Sequence, residues 1–517
     1  MLGKETPTGD PDHRGGTGRR VARGRGAHAL LVAAVLTLVG CTPPVASVPS
    51  ASYPYTPYPS PTLTPRDFTV MTAQPLTTTD PAVAVNDTDT LVATSVYQRL
   101  MRVLPDTGEL KPDAATDCLF VSRLVYQCEL QSDLRFHNGD KMTSSDVRFS
   151  ILRALRLNTP GTAISMFDAL EQVSTPDDQT VRFRLRFADG QFGYALASVV
   201  ASIVNSREYD ADAPLPLDQD PVGSGPLAAS SATEDGVTLR ASEYYVGGAW
   251  AGIGLMRLTR AEDSASAEAA LATGEADVVW RTLDEPALAR LAATEQASPA
   301  APAPRRWPLP GQRVTRLVWN SESPRRDDAT LRSAVALALQ QDRTLDSLVP
   351  VGIAGHVAAF PVGGRPELPS IEGERVILTL GYDPSAPGAA DLARTLRDRI
   401  ETVNGLSVRV TAEPDADLML TDQSPWVVTA AGWLQDYVEH PLKDSAGVVE
   451  ALEFQARTSS PDDWRAVTLL QQQAVADLTV LPVSQSDGIL VLGAGLTLAS
   501  NSVGSGGVLG LWGIHYA

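Results

Sequence analysis

The sequence predicts a mixed α/β fold built from more than one domain. Its 517 residues are too many for one ordinary hydrophobic core and indicate two or three domains. A strand pattern at 376–380, a helical apolar stripe over 392–400 and a second strand pattern at 406–410 follow one another as a β-α-β unit. With 43% hydrophobic and 20% charged residues, the composition is typical of a globular protein.

The first 40 residues have the organisation of a bacterial export signal. Five arginines between Arg14 and Arg25 precede the apolar run Ala27–Val39, which is too short for a permanent membrane span. The run ends in Leu-Val-Gly-Cys at 38–41, which is similar to a lipobox, where the cysteine becomes the first mature residue and carries lipid. We predict a lipoprotein signal peptide over 1–40 and lipidation at Cys41. A plain secretory signal with an incidental cysteine is the alternative.

The segment that follows, residues 41–65, is dense in Pro, Ser and Thr and has no hydrophobic period. Such a composition favours an extended, solvated chain, so we predict a tether whose glycosylation stays open.

The net charge of the remaining chain is strongly negative. Six of the 42 Lys and Arg residues and three of the 61 Asp and Glu residues lie in residues 1–40, so the rest of the chain carries a net charge of −22. This charge repels phosphate backbones and excludes nucleic acid as a partner. No later apolar run reaches ~18 residues, so membrane contact is expected through the lipid anchor only.

Two further cysteines, Cys118 and Cys128, flank a segment with the pattern of two short strands joined at 122–123. Cysteines that face each other on a hairpin outside the cytoplasm favour a disulfide, and two buried thiols are the alternative. No Cys or His pair has the spacing of metal ligands, so we expect neither a metal site nor a cofactor.

Residues 130–155 have the pattern of a strand, a tight turn and a capped helix. Leu130, Leu134 and Phe136 alternate as in a half-buried strand, and Asn-Gly at 138–139 supplies a turn. Thr143 and an acidic residue three positions later form a capping-box pattern that opens an amphipathic helix.

The sequence of residues 130–155 resembles a characteristic motif of the oligopeptide- and dipeptide-binding proteins of bacterial ABC importers, solute-binding family 5. The matching segments are Phe136–Gly139 and Thr143–Ser150. Further segments are similar to other motifs of the family and occur in the same order as in the family. They lie at 80–81 together with 96–100, and at 106–112, 221–226, 273–278 and 319–334. The glycines of the 221–226 segment are expected to form a turn with unusual backbone angles.

The resemblance implies an α/β, two-lobed periplasmic-binding-protein-like fold with an extra small domain and a ligand cleft between the lobes. It assigns the first lobe to 66–112, 223–322 and 492–517, the extra domain to 113–222, and the second lobe to 323–491. Val357–Arg375 is a Pro- and Gly-rich stretch where the family has a helix. The size and shape of the cavity are therefore expected to differ from those of the family.

The resemblance also implies a ligand site at Ala431–Tyr437, which is similar to a cleft segment of the family. By this similarity, the backbones of Gly432 and Leu434 pair with a peptide main chain, and Trp433 lines a side-chain pocket. Asp436 is the expected counter-ion for the α-ammonium group of a peptide. The alternative is structural, with the Asp436 carboxylate capping a turn and Trp433 filling the core.

On the opposite wall of the expected cleft, Asp87 and Thr88 belong to a segment similar to a strand that contacts the ligand backbone. Among catalytic motifs, no Gly-x-Ser-x-Gly elbow, Ser-x-x-Lys pair or His-Glu-x-x-His helix occurs. We therefore expect no enzymatic activity.

The function implied is that of a monomeric, lipid-anchored protein on the outer face of the bacterial cytoplasmic membrane. It would capture a peptide or another small solute by hinge closure and deliver it to the permease and ATPase subunits of an ABC transporter. A relative that has lost transport and acts in cell-envelope assembly or regulation is the first alternative. A secreted hydrolase and a nickel or haem carrier are further ones, and ligand identity stays open.

Overall fold

The computed structural model describes residues 66–104, 109–246, 253–297, 303–422, 429–459, 463–499 and 509–516. The predicted signal peptide, Cys41 and the tether lie outside the described residues. Within these ranges, no helix combines the length and the apolar character needed to cross a membrane.

The described chain alternates strands and helices. Its strands are β1 (Arg66–Thr72), β2 (Met101–Val103), β3 (Leu110–Pro112), β4 (Ala115–Ser122), β5 (Val125–Leu130), β6 (Leu170–Ser174), β7 (Thr180–Leu185), β8 (Leu227–Thr233), β9 (Gly236–Ala241), β10 (Ile253–Arg260), β11 (Val278–Trp280), β12 (Arg305–Trp319), β13 (Val376–Tyr382), β14 (Leu406–Thr411), β15 (Leu418–Thr421), β16 (Val480–Leu492), β17 (Leu496–Leu498) and β18 (Ile514–Tyr516). Its helices are α1 (Asp87–Val96), α2 (Ser144–Leu157), α3 (Phe192–Ala195), α4 (Ser264–Thr273), α5 (Glu285–Ala297), α6 (Ala329–Leu339), α7 (Ala389–Ile400), α8 (Ala430–Trp433), α9 (Gln435–Glu439), α10 (Ala446–Thr458) and α11 (Arg465–Asp477).

Ten strands form one large sheet in the order β14-β13-β15-β12-β16-β11-β1-β10-β9-β8. Strand β1 is parallel to β10 and β11, and β13 is parallel to β14 and β15. The predicted β-α-β unit is confirmed, because α7 connects the parallel strands β13 and β14. Strands β12 and β16 are antiparallel and much longer than their neighbours.

These two long strands take part in two separate hydrophobic cores. The C-terminal end of β12, around Leu317, and the N-terminal end of β16, around Leu481, belong to the second core, which is formed by residues between 314 and 483. Their other ends, around Leu309 and Leu490, belong to the first core, which joins residues 68–97, 227–280 and 490–514. Between the two, the β12–β16 register is interrupted from Leu309 to Arg313. In the part of the chain that the structure describes, β12 and β16 are the strands that belong to both of these cores. Their ladder is irregular between the two cores, and an irregular ladder is where a pair of strands bends most easily.

A four-stranded sheet in the order β4-β5-β7-β6 packs with α2 around a third core, here called the small-sheet region (residues 114–203). Cys118 and Cys128 lie directly opposite each other on β4 and β5, with their Cα atoms 4.1 Å apart, and are joined by a disulfide.

Two local expectations were wrong in detail. Leu134 and Phe136 are buried as expected, but β5 ends at Leu130 and the chain turns at Asp133, whose φ is 61°. This left-handed residue interrupts the expected strand.

The second correction concerns the glycines of the 221–226 segment. Neither Gly223 nor Gly225 has a positive φ. Gly225 is required for close packing instead, because a Cβ there would lie 2.6 Å from the carbonyl carbon of Val96 at the end of α1.

Candidate functional site

A pocket lies between the small-sheet region and the helices α8 to α11 of the second core. It contains about 610 Å³ of atom-free space, part of which is open to solvent. Its walls come from two chain segments that are more than two hundred residues apart, so they meet only through the tertiary fold. The lining residues are Ser165, Met166, Gln191, Thr429, Ala431, Gly432, Leu434, Gln435, Val438, Glu453, Ala456, Arg457, Val467 and Leu470.

One buried ion pair joins the two walls. Arg457 of α10 donates from Nη2 and Nε to Asp189 Oδ2 at 2.6 and 3.2 Å, and the Asp189 side chain is fully buried. The guanidinium also stacks on Phe187, 5.3 Å from the ring centroid, and Gly190 N donates to the Arg457 carbonyl at 3.0 Å. Phe187 contacts Phe454 edge to face at 5.1 Å. The contact combines charge, stacking and apolar packing and holds the walls together in this conformation.

Polar side chains make further contacts across the same boundary. Gln435 Nε2 donates to Ser165 Oγ at 3.0 Å, and Ser165 Oγ donates to Glu439 Oε1 at 2.8 Å. Thr429 Oγ1 donates to Gln191 Oε1 at 3.4 Å. Of these residues, Ser165, Gln191, Thr429 and Gln435 line the pocket together with apolar side chains.

Carboxylates exceed arginines around this pocket. Asp168, Asp189, Glu439 and Arg457 all act electrostatically on Glu453. Burial raises the pKa of Glu453, and Arg457 only partly offsets this effect. Burial likewise raises the pKa of Asp168.

The predicted residues Gly432 and Leu434 line the pocket, but their backbone is not extended. They lie in and directly after α8, where Thr429 caps the helix and accepts from Gly432 N at 3.3 Å. Leu434 N bonds to the carbonyl groups of Ala430 and Ala431 at 3.1 and 3.2 Å. The helix uses both N–H groups in this structure, and the pairing of this segment with a peptide main chain stays a prediction.

Trp433 and Asp436 lie on the other side of this segment and do not line the pocket. Trp433 is 2% exposed and packs in the second core. Arg316 of β12 stacks over the Trp433 ring at 4.8 Å, and its Nη1 donates to Asp436 Oδ2 at 2.7 Å. The Arg316 side chain is only 4% exposed, and burial lowers its pKa. The role of Asp436 as a counter-ion for a ligand stays a prediction, and Arg316 is an internal cation that competes for it.

Asp87 and Thr88 form the first turn of α1, so the expectation of a strand at this point is corrected. Asn86 caps the helix by accepting from Asp89 N at 2.8 Å. Asp87 accepts from Arg281 Nη1 at 2.5 Å, and Thr88 Oγ1 donates to the carbonyl of Gln74 at 3.0 Å. Both side chains are occupied by these contacts, and their role in ligand binding stays a prediction.

Sequence reasoning missed the small-sheet wall of the pocket and the α10 residues Glu453 and Arg457. These two side chains are four residues apart on one helix, which is also common on solvated helix faces. No sequence signal connects them with residues 165–191. The described lining residues include no His, Cys or Lys, and the described chain has no group of three His, Cys, Asp or Glu arranged to hold a metal ion.

The comparison with known families decides what kind of protein this is. The model of the bacterial extracellular solute-binding proteins, family 5 (middle region), matches residues 109–390. The chain belongs to solute-binding family 5. The predicted family is thereby confirmed.

Two curated relatives show how far the sequence similarity extends. The probable ABC transporter periplasmic-binding protein SapA of Escherichia coli K12 is 30% identical over 288 residues, which are 50% of each chain. The HTH-type transcriptional regulator SgrR of Pectobacterium atrosepticum is 29% identical over 175 residues, 34% of this chain and 30% of the regulator. The match thus spans about half the length of SapA and about a third of SgrR.

A solved structure with the same fold confirms the two-lobed architecture. The dipeptide binding protein from Pseudoalteromonas sp. SM9913, in complex with Met-Leu, superposes with a TM-score of 0.74 over 87% of this chain and 100% of that chain, at 16% identity.

Proposed function

We propose that this chain is a lipid-anchored, extracytoplasmic solute-binding protein that captures a peptide-like solute by hinge closure and delivers it to an ABC permease. The observation that carries the proposal is the pocket between residues 165–191 and 429–470. Because its walls belong to separate cores, a solute held there contacts both and favours the conformation in which they meet. The protein binds and releases its solute unchanged.

In this proposal the hinge is the part of β12 and β16 that passes from the first core to the second. The two strands connect the first and second cores, and their register is interrupted between Leu309 and Arg313. Bending there separates Asp189 from Arg457 and opens the pocket to solvent. The lobes of the proposal have the sequence-based bounds: 66–112, 223–322 and 492–517 for the first, 323–491 for the second, and 113–222 for the extra domain.

Native mass spectrometry of protein extracted from membranes without refolding tests both the anchor and the binding. The proposal expects a chain that begins at a diacylated Cys41 and carries a non-covalent solute, released unaltered at higher collision energy. A mass that lacks lipid contradicts the anchor. Protein that stays free of solute, even when incubated with cell extract and peptide mixtures, contradicts the binding function.

A second candidate function is solute sensing or envelope assembly without transport. Two observations favour it: the similarity to part of a transcriptional regulator, and the Pro- and Gly-rich stretch Val357–Arg375, where the structure has no helix or strand. Deletion of the gene distinguishes the two functions. Lost uptake of the solute found by mass spectrometry supports transport, and normal uptake with an altered envelope supports the second function.

A further inference from the structure

The turn end of the β4–β5 hairpin exposes a cluster of large apolar side chains. Leu119, Phe120, Val121 and Leu124 are 47%, 39%, 51% and 40% exposed. Because they are close together in the chain, they form one patch, unlike the single exposed apolar residues that are common on protein surfaces. The hairpin contributes no lining residue to the pocket, so solute binding does not account for this patch.

The hairpin is held in place at both ends of the patch. The disulfide between Cys118 and Cys128 links its two strands. At the turn, Leu185 N of β7 donates to the carbonyl of Leu124 at 2.9 Å. The patch is therefore a preformed surface, which lowers the cost of ordering it when a partner binds.

The backbone of β4 has a free edge beside the patch. β4 is the terminal strand of the sheet β4-β5-β7-β6, so one side of its backbone has no neighbouring strand in that sheet. The Cα atoms of Cys118 and Cys128 are 4.1 Å apart, the short separation typical of an antiparallel pair that exchanges no hydrogen bonds. The N–H and C=O groups of Cys118, and of Phe120 two residues later, therefore point away from β5. Apart from a long bond of 3.4 Å from Tyr126 Oη to the Cys118 carbonyl, these groups can receive another strand.

The sequence of this edge is complementary to itself when two copies run antiparallel about Phe120. In this register Leu119 lies opposite Val121 of the second copy, and Asp117 lies opposite Arg123 of the second copy. Apolar side chains meet apolar ones, and opposite charges meet at both ends of the paired segment. Because the β4–β5 register is irregular directly after Phe120, the contact at the turn depends on the long side chain of Arg123.

Both of these charges are available for a partner. Asp117 and Arg123 are exposed, and neither takes part in an ion pair with another described residue. A second copy satisfies more of this surface than a lipid bilayer does. A bilayer covers the apolar side chains but offers no cation fixed opposite Asp117 and no strand for the free edge of β4.

We propose that β4 pairs with β4 of a second copy of this chain, antiparallel and centred on Phe120, in a two-fold symmetric dimer. The pairing joins the two four-stranded sheets edge to edge and covers the apolar patch of each copy. The paired segment is short, so the dimer is weak and reversible. This proposal does not depend on the proposed function, and it departs from the monomer that the family resemblance implied.

Sedimentation equilibrium in a detergent that matches the density of the solvent tests the dimer, because it reports the mass of the protein with or without attached lipid. The parent should change from monomer to dimer as its concentration rises. Val121→Lys places a charge in the apolar centre of the pairing and should raise the dimer dissociation constant at least about tenfold. Arg409→Glu is the matched control and should leave this constant unchanged, since Arg409 is an exposed residue of β14, the terminal strand of the ten-stranded sheet.

An exchange of charges tests the register. Asp117→Arg and Arg123→Glu should each raise the dissociation constant about tenfold, because each places like charges opposite one another twice in the dimer. The double variant should return the constant to the value of the parent, a rescue that a mere loss of folding would not show.

Three results would each overturn the proposal: a parent that is monomeric at every concentration, a dimer that Val121→Lys leaves unchanged, and single charge variants that the double variant does not rescue. Monomers that bind phosphatidylglycerol vesicles, with a loss of this binding in Val121→Lys, would also overturn it and assign the patch to a lipid surface.

Discussion

At the scale of single residues, Asp80 is a buried charge whose carboxylate accepts four hydrogen bonds from described residues. Its carboxylate receives Arg153 Nη1 and Nη2 at 3.0 and 2.5 Å, and both side chains are at most 1% exposed. Ala82 N and Leu215 N donate to the same carboxylate at 3.0 and 2.8 Å. Arg153 lies on α2, so the pair fastens the small-sheet region to the loop between β1 and α1.

Asp80→Asn should lower the free energy of unfolding by about 3–5 kcal/mol, because it leaves the Arg153 charge buried without its partner. Urea denaturation followed by circular dichroism measures the change. The control is Asp212→Asn, which breaks the exposed pair of Asp212 with Arg156 on the same helix and should cost at most about 1 kcal/mol. Equal effects of the two substitutions would contradict the role given to Asp80.

Asp80 also shows where sequence-based prediction ends. The Asp-Pro segment at 80–81 is marked by its resemblance to a family motif, but its partner Arg153 is 73 residues away. A pairing of this kind depends on how α2 packs, which no local pattern encodes. The same holds for Asp189 and Arg457, which are 268 residues apart.

At the scale of elements, local sequence signals predicted the start of α2 correctly. Thr143 opens α2 with the expected capping box, in which Thr143 N donates to Asp146 Oδ2 at 2.9 Å. The helix α6 begins after Asp328, whose carboxylate accepts from Thr330 N and Leu331 N, and one apolar face of it is buried. By contrast, the ligand-pairing role of Gly432 and Leu434 was predicted from resemblance alone, which gave no indication that Thr429 caps a helix there.

The turn after Phe136 is hydrogen-bonded to the 221–226 segment, which is hydrogen-bonded to the end of α1. His137 N donates to the carbonyl of Gly223 at 2.8 Å, and its ring Nε2 donates to the carbonyl of Gly225 at 2.9 Å. Gly225 N in turn donates to the carbonyl of Val96 at 2.8 Å, at the end of α1. The second ring nitrogen, Nδ1, is buried without a partner among the described residues, so protonation there places a charge in a buried site without a hydrogen-bond acceptor.

Stability should therefore fall as this histidine is protonated. Burial lowers the pKa of His137 in the folded state, so its contribution is complete above the unfolded pKa of about 6.5 and is lost as the pH falls through the folded pKa. The loss attributable to one proton is at most about 1.4 kcal/mol per pH unit. Urea denaturation at pH 7.5 and 5.5 should show a larger loss in the parent than in His137→Gln. The control is His440→Gln, a substitution of an exposed histidine, which should show the same pH effect as the parent. An identical pH effect in His137→Gln and the parent would refute the role given to His137.

At the scale of the whole molecule, two cores share the strands β12 and β16, and the pocket lies where the small-sheet region meets α8 to α11. The sequence predicted two lobes and an extra domain by resemblance, and the fold is confirmed. It did not predict that the small-sheet region forms one wall of the pocket. That wall depends on Phe187, Asp189 and Gln191, which follow β7 in a segment without any recognisable motif.

The central claim is that the two walls separate and close on a solute. Its most direct test is a distance measurement by pulsed electron paramagnetic resonance between nitroxide labels at Gln172→Cys and Glu450→Cys, two exposed positions on opposite sides of the pocket. Solute-free protein should give a long or broad distance distribution. Addition of the solute identified by mass spectrometry should convert it to a single, shorter and narrower distance. A distribution that stays the same while the solute is bound would contradict the account.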